Sequence, residues 1–296
     1  MPLVEADPAI LTLARPSHDQ TRRWARRPIG RIARPIHTYF SMIADCPVMQ
    51  LVRQATSAYV MEQMRGTAHE GLPVLAAASP FRAGGRGGPD NYSYVPAGDL
   101  LLRNAADLYI HPNTVAALHL TGADIRAWLR NGTRVFRPLG EDDGSGTPSL
   151  LHDTEVPFYQ FESIGDLTYR IALGRTSVRI ADLCWQGQPV TDDQHFILAT
   201  NSYRASGSGG FFQPDPARLV LASQRTVRDV LIEYLARPGA EIRPAPPVWR
   251  LCAAPGRSVL FDTAPAAIDH LDEVPDLHLQ PMGLTEQGFL RLRLDF

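Results

Sequence analysis

The 296-residue chain contains no lysine, so all 29 of its Lys-plus-Arg positions are arginine. That absence excludes lysine Schiff-base chemistry and the Walker lysine, and no G-x-x-x-x-G-K-[ST] segment occurs. Cysteine is scarce as well. Cys46, Cys184 and Cys252 are odd in number and far apart, which fits buried thiols rather than a disulfide framework or a CxxC metal knuckle. No apolar run approaches the length that spans a bilayer, and Met1 to Asp7 has neither the basic nor the apolar region of an export signal, so the chain as written is expected in the cytoplasm. The formal charge of −2 argues against nucleic acid or an acidic membrane as a general partner. What is abundant is ordinary: 44% hydrophobic and 20% charged residues predict a folded globular body.

Catalytic sets are missing too. Ser206 and Ser208 sit beside glycines but do not complete G-x-S-x-G. The pairs His111/His119 and His270/His278 lack the i, i+4 spacing of a helical zinc site, and Glu141-Asp142-Asp143 and Asp192-Asp193 read as turn or surface acids. The residues are suited to holding a ligand and not to cutting it, so no catalytic and no metal-ligating residue is assigned.

Two glycine-rich segments carry the binding signal. The apolar run Phe196 to Ala199 feeds Thr200-Asn-Ser-Tyr-Arg-Ala-Ser-Gly-Ser-Gly-Gly210, and Leu72 to Ala78 feeds Ser79-Pro-Phe-Arg-Ala-Gly-Gly-Arg86. Gly84, Gly85, Gly207 and Gly209 permit positive φ and close backbone approach, Arg82 and Arg86 offer guanidinium forks to an anion, and Tyr203 offers a flat face for a base. With Ile110-His-Pro-Asn113 between them in sequence, these segments are expected to form one nucleotide-binding surface.

Elsewhere the sequence describes scaffold. Residues 7–35, rich in arginine, read as a solvated helix and a proline-bounded connector. Asp45 is expected to cap a helix with Pro47 in its first turn that stops at Gly66, and Ser223 to cap a second ended by Pro238-Gly239. Val115 to Leu120 should run as a strand into a helix capped by Thr121 and Asp124. Leu167 to Leu173, Val178 to Trp185 and the alternating Leu290 to Phe296 are strand-like, Gly187-Gln-Pro is a turn, and Gly140 to Pro148 is a polar loop. Mixed helices and strands predict a single α+β domain, with residues 1–35 as connector and 36–296 as the folded unit.

Four segments in this order, Arg34 to Phe40, Ala78 to Arg86, Arg103 to Thr114 and Ala199 to Ala205, resemble the C-terminal domain of bacterial 2′,3′-cyclic-nucleotide 2′-phosphodiesterase/3′-nucleotidases of the 5′-nucleotidase family. The resemblance implies a nucleotide-binding domain that works with an N-terminal metallophosphoesterase domain holding two divalent metals; it also implies a periplasmic setting. Tyr203 matches one of the family's two base-stacking rings, and His111 falls where the other is a Tyr or Phe. Asn113 matches a residue that hydrogen-bonds the base, Arg86 matches the glycine-loop arginine, and Arg82 stands where relatives can have Lys. The paired metal-domain signatures, Asp-x-His near a start with Gly-Asn-His-[Asp/Glu] beyond it, do not occur in this chain, so the resemblance leaves two readings, the binding part of a split or longer phosphoesterase and a stand-alone binding module.

Overall fold

Alternation along the central strands places the sheet between two apolar cores. The computed structural model describes residues 4–140, 148–237 and 245–296. Its central sheet has five strands, in the order Leu219–Thr226, Thr114–Thr121, His195–Asn201, Val74–Ala78 and Ser163–Ile164; only His195–Asn201 and Val74–Ala78 run parallel to each other. Leu75, Leu118, Leu120, Phe196 and Leu198 enter one core, while Ala76, Ala78, Val115, Ala117, Ile197 and Ala199 enter the other. Successive side chains on a strand point to opposite faces, so a strand buried on both faces must be apolar at every position. That is why the two runs feeding the glycine segments read as continuous hydrophobic stretches.

Helices Pro47–Met64 and Val227–Leu235 cover the face that carries Ile197 and Ala199. The other face is covered by helix Gly122–Gly132, through Ile125, Trp128 and Leu129, and by two further sheets. One has four strands ordered Gln188–Pro189, Val178–Trp185, Leu167–Leu173 and Trp249–Cys252; the other is ordered His278–Leu284, Leu290–Asp295, Ser258–Thr263 and Ser149–Leu150. The class is α+β. Among the described residues, no helix is long and apolar enough to cross a membrane.

Most local expectations match the elements, and the differences have physical causes. Thr121 and Asp124 exchange both capping-box hydrogen bonds. Asp45, by contrast, is not the cap of the Pro47–Met64 helix: Cys46 holds that position without a side-chain bond. Both oxygens of the Asp45 carboxylate instead accept from Arg53 Nη2, at 2.8 and 2.7 Å, and Oδ2 also accepts from the amide of Val248 at 3.2 Å. Ser223 is not a cap either, because its hydroxyl lies 2.7 Å from that of Tyr59 inside a strand, and Thr226 with Asp229 caps the Val227–Leu235 helix. That helix ends at Leu235, and the Pro238-Gly239 stop and positions 141–147 of the polar loop lie outside the described residues. Of the three thiols only Cys46 is buried; Cys184 and Cys252 are half-buried. Helix Pro8–Ala25, capped by Asp7, buries none of its residues, and the chain joins the folded body at Pro28, where Pro28–Ile32 pairs with Gly98–Leu101.

Candidate functional site

Three chain segments meet where the central strands end. Strand His195–Asn201 stops at Asn201, whose side-chain oxygen accepts from the Arg204 amide at 3.0 Å and caps the short helix Ser202–Ala205. The neighbouring strand begins at Thr114, and its amide donates to Ser202 Oγ at 3.2 Å, joining the His111–Asn113 turn to the Tyr203 turn. Arg228 fastens the turn from below, donating to the carbonyls of Tyr109 at 3.1 Å and Ile110 at 2.8 Å. The result is a cleft of about 270 Å³ lined by Phe81, His111, Asn113, Tyr159, Asn201, Tyr203 and Arg204.

Its walls are aromatic and its floor is ionic. Tyr203 is 40% exposed and Tyr159 38% exposed, so both residues remain partly open to solvent at the cleft. His111 meets Phe81 edge-on at 4.8 Å, and burial together with the charge of Arg228 lowers its pKa, leaving a neutral ring at pH 7. Behind them the Tyr109 hydroxyl is buried without a well-formed hydrogen bond, although the amides of Asn113 and Asn201 approach it; burial pushes this phenol's pKa up. Below Tyr203 lies Arg204, 1% exposed, with its guanidinium carbon 5.3 Å from the Tyr203 ring and 4.3 Å from that of Phe211. It donates to Glu162 Oε1 at 2.9 Å, to the Tyr159 carbonyl at 2.6 Å and to the Ser208 carbonyl at 3.3 Å.

The second glycine segment supports this floor. Gly207, Gly209 and Gly210 all have positive φ, and the Gly209 carbonyl accepts from Asn131 at 3.1 Å and Arg134 at 2.9 Å. A Cβ on Gly209 would lie 2.2 Å from Arg204 Nη1, which cannot swing away because its other arms are bonded, whereas a Cβ on Gly210 would meet nothing within 4 Å. Both substitutions carry the left-handed backbone cost, so Gly209→Ala is expected to lose about 1–3 kcal/mol more than Gly210→Ala in urea unfolding.

The structure brings together Tyr203, His111 and Asn113; Gly207 and Gly209 do not line this cleft, Gly207 packing against Pro214 and Gly209 against the Arg204 guanidinium. It does not bring Arg82, Gly84, Gly85 and Arg86 to the same cleft. Arg82 faces Asp107 at 3.6 Å. Gly84 packs on Tyr92, where a Cβ would clash with the hydroxyl, and Gly85 and Arg86 line a separate cleft of about 420 Å³ with Phe158, Asp262 and Arg291. Arg86 is occupied there by the carboxylate of Glu155, at 3.5 Å, and by its carbonyl. The expected single surface is therefore two clefts, because the chain turns at Phe81 and carries the later residues past Asn91 and Tyr92; Phe81 alone of that segment reaches the aromatic cleft. Phe81, Tyr159, Asn201 and Arg204 were missed in the sequence. Phe81 and Arg204 adjoin assigned residues, but nothing local in Pro157-Phe-Tyr-Gln160 marks Tyr159.

Residues 28–214 match the family described as the 5′-nucleotidase C-terminal domain, and the chain belongs to that family. It is 32% identical over 318 residues to a Haemophilus influenzae 2′,3′-cyclic-nucleotide 2′-phosphodiesterase/3′-nucleotidase, covering 99% of this chain and 48% of that protein. It is 31% identical over 293 residues to the trifunctional nucleotide phosphoesterase YfkN of Bacillus subtilis, covering 94% of this chain and 20% of that one. The chain thus spans half or less of the length of these relatives. A structure from Staphylococcus aureus, solved as a candidate 5′-nucleotidase in complex with α-ketoglutarate, superimposes with a TM-score of 0.65 at 17% identity, covering 84% of this chain and 44% of that one, which shows the shared fold.

Proposed function

We propose that this chain is the nucleotide-binding part of a 2′,3′-cyclic-nucleotide 2′-phosphodiesterase/3′-nucleotidase, in which a nucleobase lies on the ring of Tyr203 and the phosphate is presented to a metallophosphoesterase domain supplied by another segment or chain. The observation that carries the reading is the open aromatic cleft itself: exposed tyrosines beside a buried arginine that is bonded to Glu162 and to the Tyr159 and Ser208 carbonyls, in a family whose relatives are named for nucleotide chemistry. Stacking on an aromatic face contributes about 1–3 kcal/mol per base and tolerates any base. Asn113 and Asn201 supply amide donors and acceptors at the cleft wall, able to read a base edge. A neutral His111 adds a second flat ring without the desolvation cost of an imidazolium.

Metals of the family's phosphoesterase step do not fit the residues of this cleft. A dinuclear centre needs convergent carboxylates and histidines, and the lining offers one histidine and no acid. No hydrolytic step is assigned to these residues; their part is to bind and orient.

In titration calorimetry with adenosine 3′-monophosphate, Tyr203→Ala is expected to weaken binding by about 1–3 kcal/mol with little change in melting temperature, since the ring is half in solvent. Equal affinity in variant and parent removes Tyr203 from the site. The alternative, a stand-alone binding module, shares the affinity but differs in one result: the isolated chain mixed with a relative's metallophosphoesterase domain and Mn²⁺ would then release no phosphate. Turnover by the isolated chain alone would overturn both.

A further inference from the structure

A second constellation lies apart from the cleft and shares no residue with it. His37, on the short strand Ile36–His37, faces His270 and Glu273 from the 3₁₀ run Pro265–Glu273. With three residues per turn, 3₁₀ positions i and i+3 eclipse one another, so His270 and Glu273 project side by side towards His37. Glu273 Oε1 lies 2.6 Å from His270 Nδ1, and Glu273 Oε2 lies 3.0 Å from His37 Nε2. One donor atom from each of the three residues falls within a common 4.8 Å.

The His37 ring is unusual for a buried polar group. It is 4% exposed, yet Nδ1 has no partner and Nε2 has Glu273 Oε2 at 3.0 Å in poor alignment, short of a well-formed hydrogen bond. Ordinarily such a group is paired, because burying it unpaired gives up its bonds to water with nothing in return. Its orientation is nevertheless fixed by stacking on Tyr39 at 4.3 Å and 22° and by edge contact with His270 at 4.5 Å. A locked, neutral imidazole with an unused lone pair, a second imidazole and a carboxylate converging on one point are the parts of a His₂Glu metal site.

We propose that His37, His270 and Glu273 bind one divalent transition ion of the zinc class, with the fourth position open to water. Two nitrogens and one carboxylate suit zinc and its neighbours; magnesium and calcium prefer all-oxygen shells. The ion would join the segment that follows the exposed N-terminal helix to the C-terminal sheet, and would give His37 Nε2 a better-aligned partner than the Glu273 carboxylate. Ligation needs small movements only, since the His270–Glu273 hydrogen bond must open to admit the ion between their donor atoms.

The test uses the full chain, stripped with chelator and titrated with Zn²⁺ by calorimetry and with Co²⁺ by visible absorption. Expected are one ion per chain, a four-coordinate Co²⁺ spectrum and a melting temperature that rises with Zn²⁺ concentration. His270→Ala and Glu273→Gln should each weaken binding by at least about tenfold and abolish the Zn²⁺-dependent rise, a comparison made within each protein and so insensitive to its apo stability. A competing surface group, His69, His119 and His195, has ring centroids 5.3 and 4.9 Å apart along the row, and His119→Ala should leave the stoichiometry and affinity unchanged. The proposal is overturned if the parent binds no Zn²⁺, if the His270 and Glu273 variants bind it as tightly, or if binding is lost in His119→Ala.

Discussion

Glu162→Gln is expected to destabilise the protein by about 3–5 kcal/mol, although it changes neither volume nor shape. Glu162 is 1% exposed and every lone-pair direction it uses is taken by a donor: Arg204 Nε at 2.9 Å and Ser79 Oγ at 2.8 Å on Oε1, and Trp128 Nε1 at 2.7 Å on Oε2. An amide in its place sets an N–H₂ against an N–H or O–H whichever way it is turned, and leaves the 1%-exposed guanidinium of Arg204 without its counter-charge. Because the fully satisfied pair gains little over a well-packed apolar pair, the double variant Glu162→Leu/Arg204→Met should recover much of the loss. Denaturant unfolding of the parent, both single variants and the double variant measures the coupling, expected to be strongly non-additive. Simple addition of the two single losses would show that the network is not the source of the stability. The same cycle bears on binding, since Arg204 holds the Tyr159 carbonyl, the Ser208 carbonyl and the underside of Tyr203 together.

Acid should unfold the chain earlier than its exposed carboxylates alone would require, and His152 is the main reason. Its ring is buried among Phe136, Phe158 and Phe261, with centroids at 5.2, 5.1 and 5.7 Å, and its one hydrogen bond places Nε2 3.2 Å from the Met42 carbonyl. Burial lowers its pKa to about 4, outweighing the carbonyl, which favours the cation. The unfolded chain, with histidine near 6.5, therefore takes up the proton first, and stability rises with pH between the two values. The contribution is complete above about pH 6.5 and lost as pH falls through about 4; at about 1.4 kcal/mol per pH unit it amounts to roughly 3 kcal/mol, of which about 2 is gone by pH 5. His37 follows the same direction, lowered to about 4 by burial and by His270 against the opposing pull of Glu273. Urea midpoints at pH 7 and pH 5 read the effect. His152→Phe, which keeps the aromatic packing, should roughly halve the difference; an unchanged pH slope would locate the acid sensitivity elsewhere.

How much of this was legible in the chain follows the range of the interaction concerned. The Thr121/Asp124 cap, the Leu167–Leu173 and Val178–Trp185 strands and the alternating tail depend on neighbours a few residues away, and each was readable. Asp45 and Ser223 looked like caps by the same local rule, yet a partner distant in sequence, Arg53 with Val248 for one and Tyr59 for the other, made a better bond than the helix end offered. The aromatic cleft was half readable: Tyr203, His111 and Asn113 sit in turns that follow or precede buried strands, and such turns open at the ends of the strands. Arg86 carried the right chemistry at the right distance from a strand, and the path of the backbone took it to a different cleft.

The amino-acid order by itself determined the absence of lysine chemistry, the double-sided burial of the central strands and the aromatic and glycine content of their ends, because composition and period-two alternation are properties of the chain and need no partner. Tertiary structure alone decided that Glu162 neutralises Arg204, that Tyr159 and Phe81 join the cleft of Tyr203, and that His37 meets His270 and Glu273 from opposite ends of the chain. Those contacts depend on three-dimensional closure of segments whose separation along the chain carries no trace of their final distance.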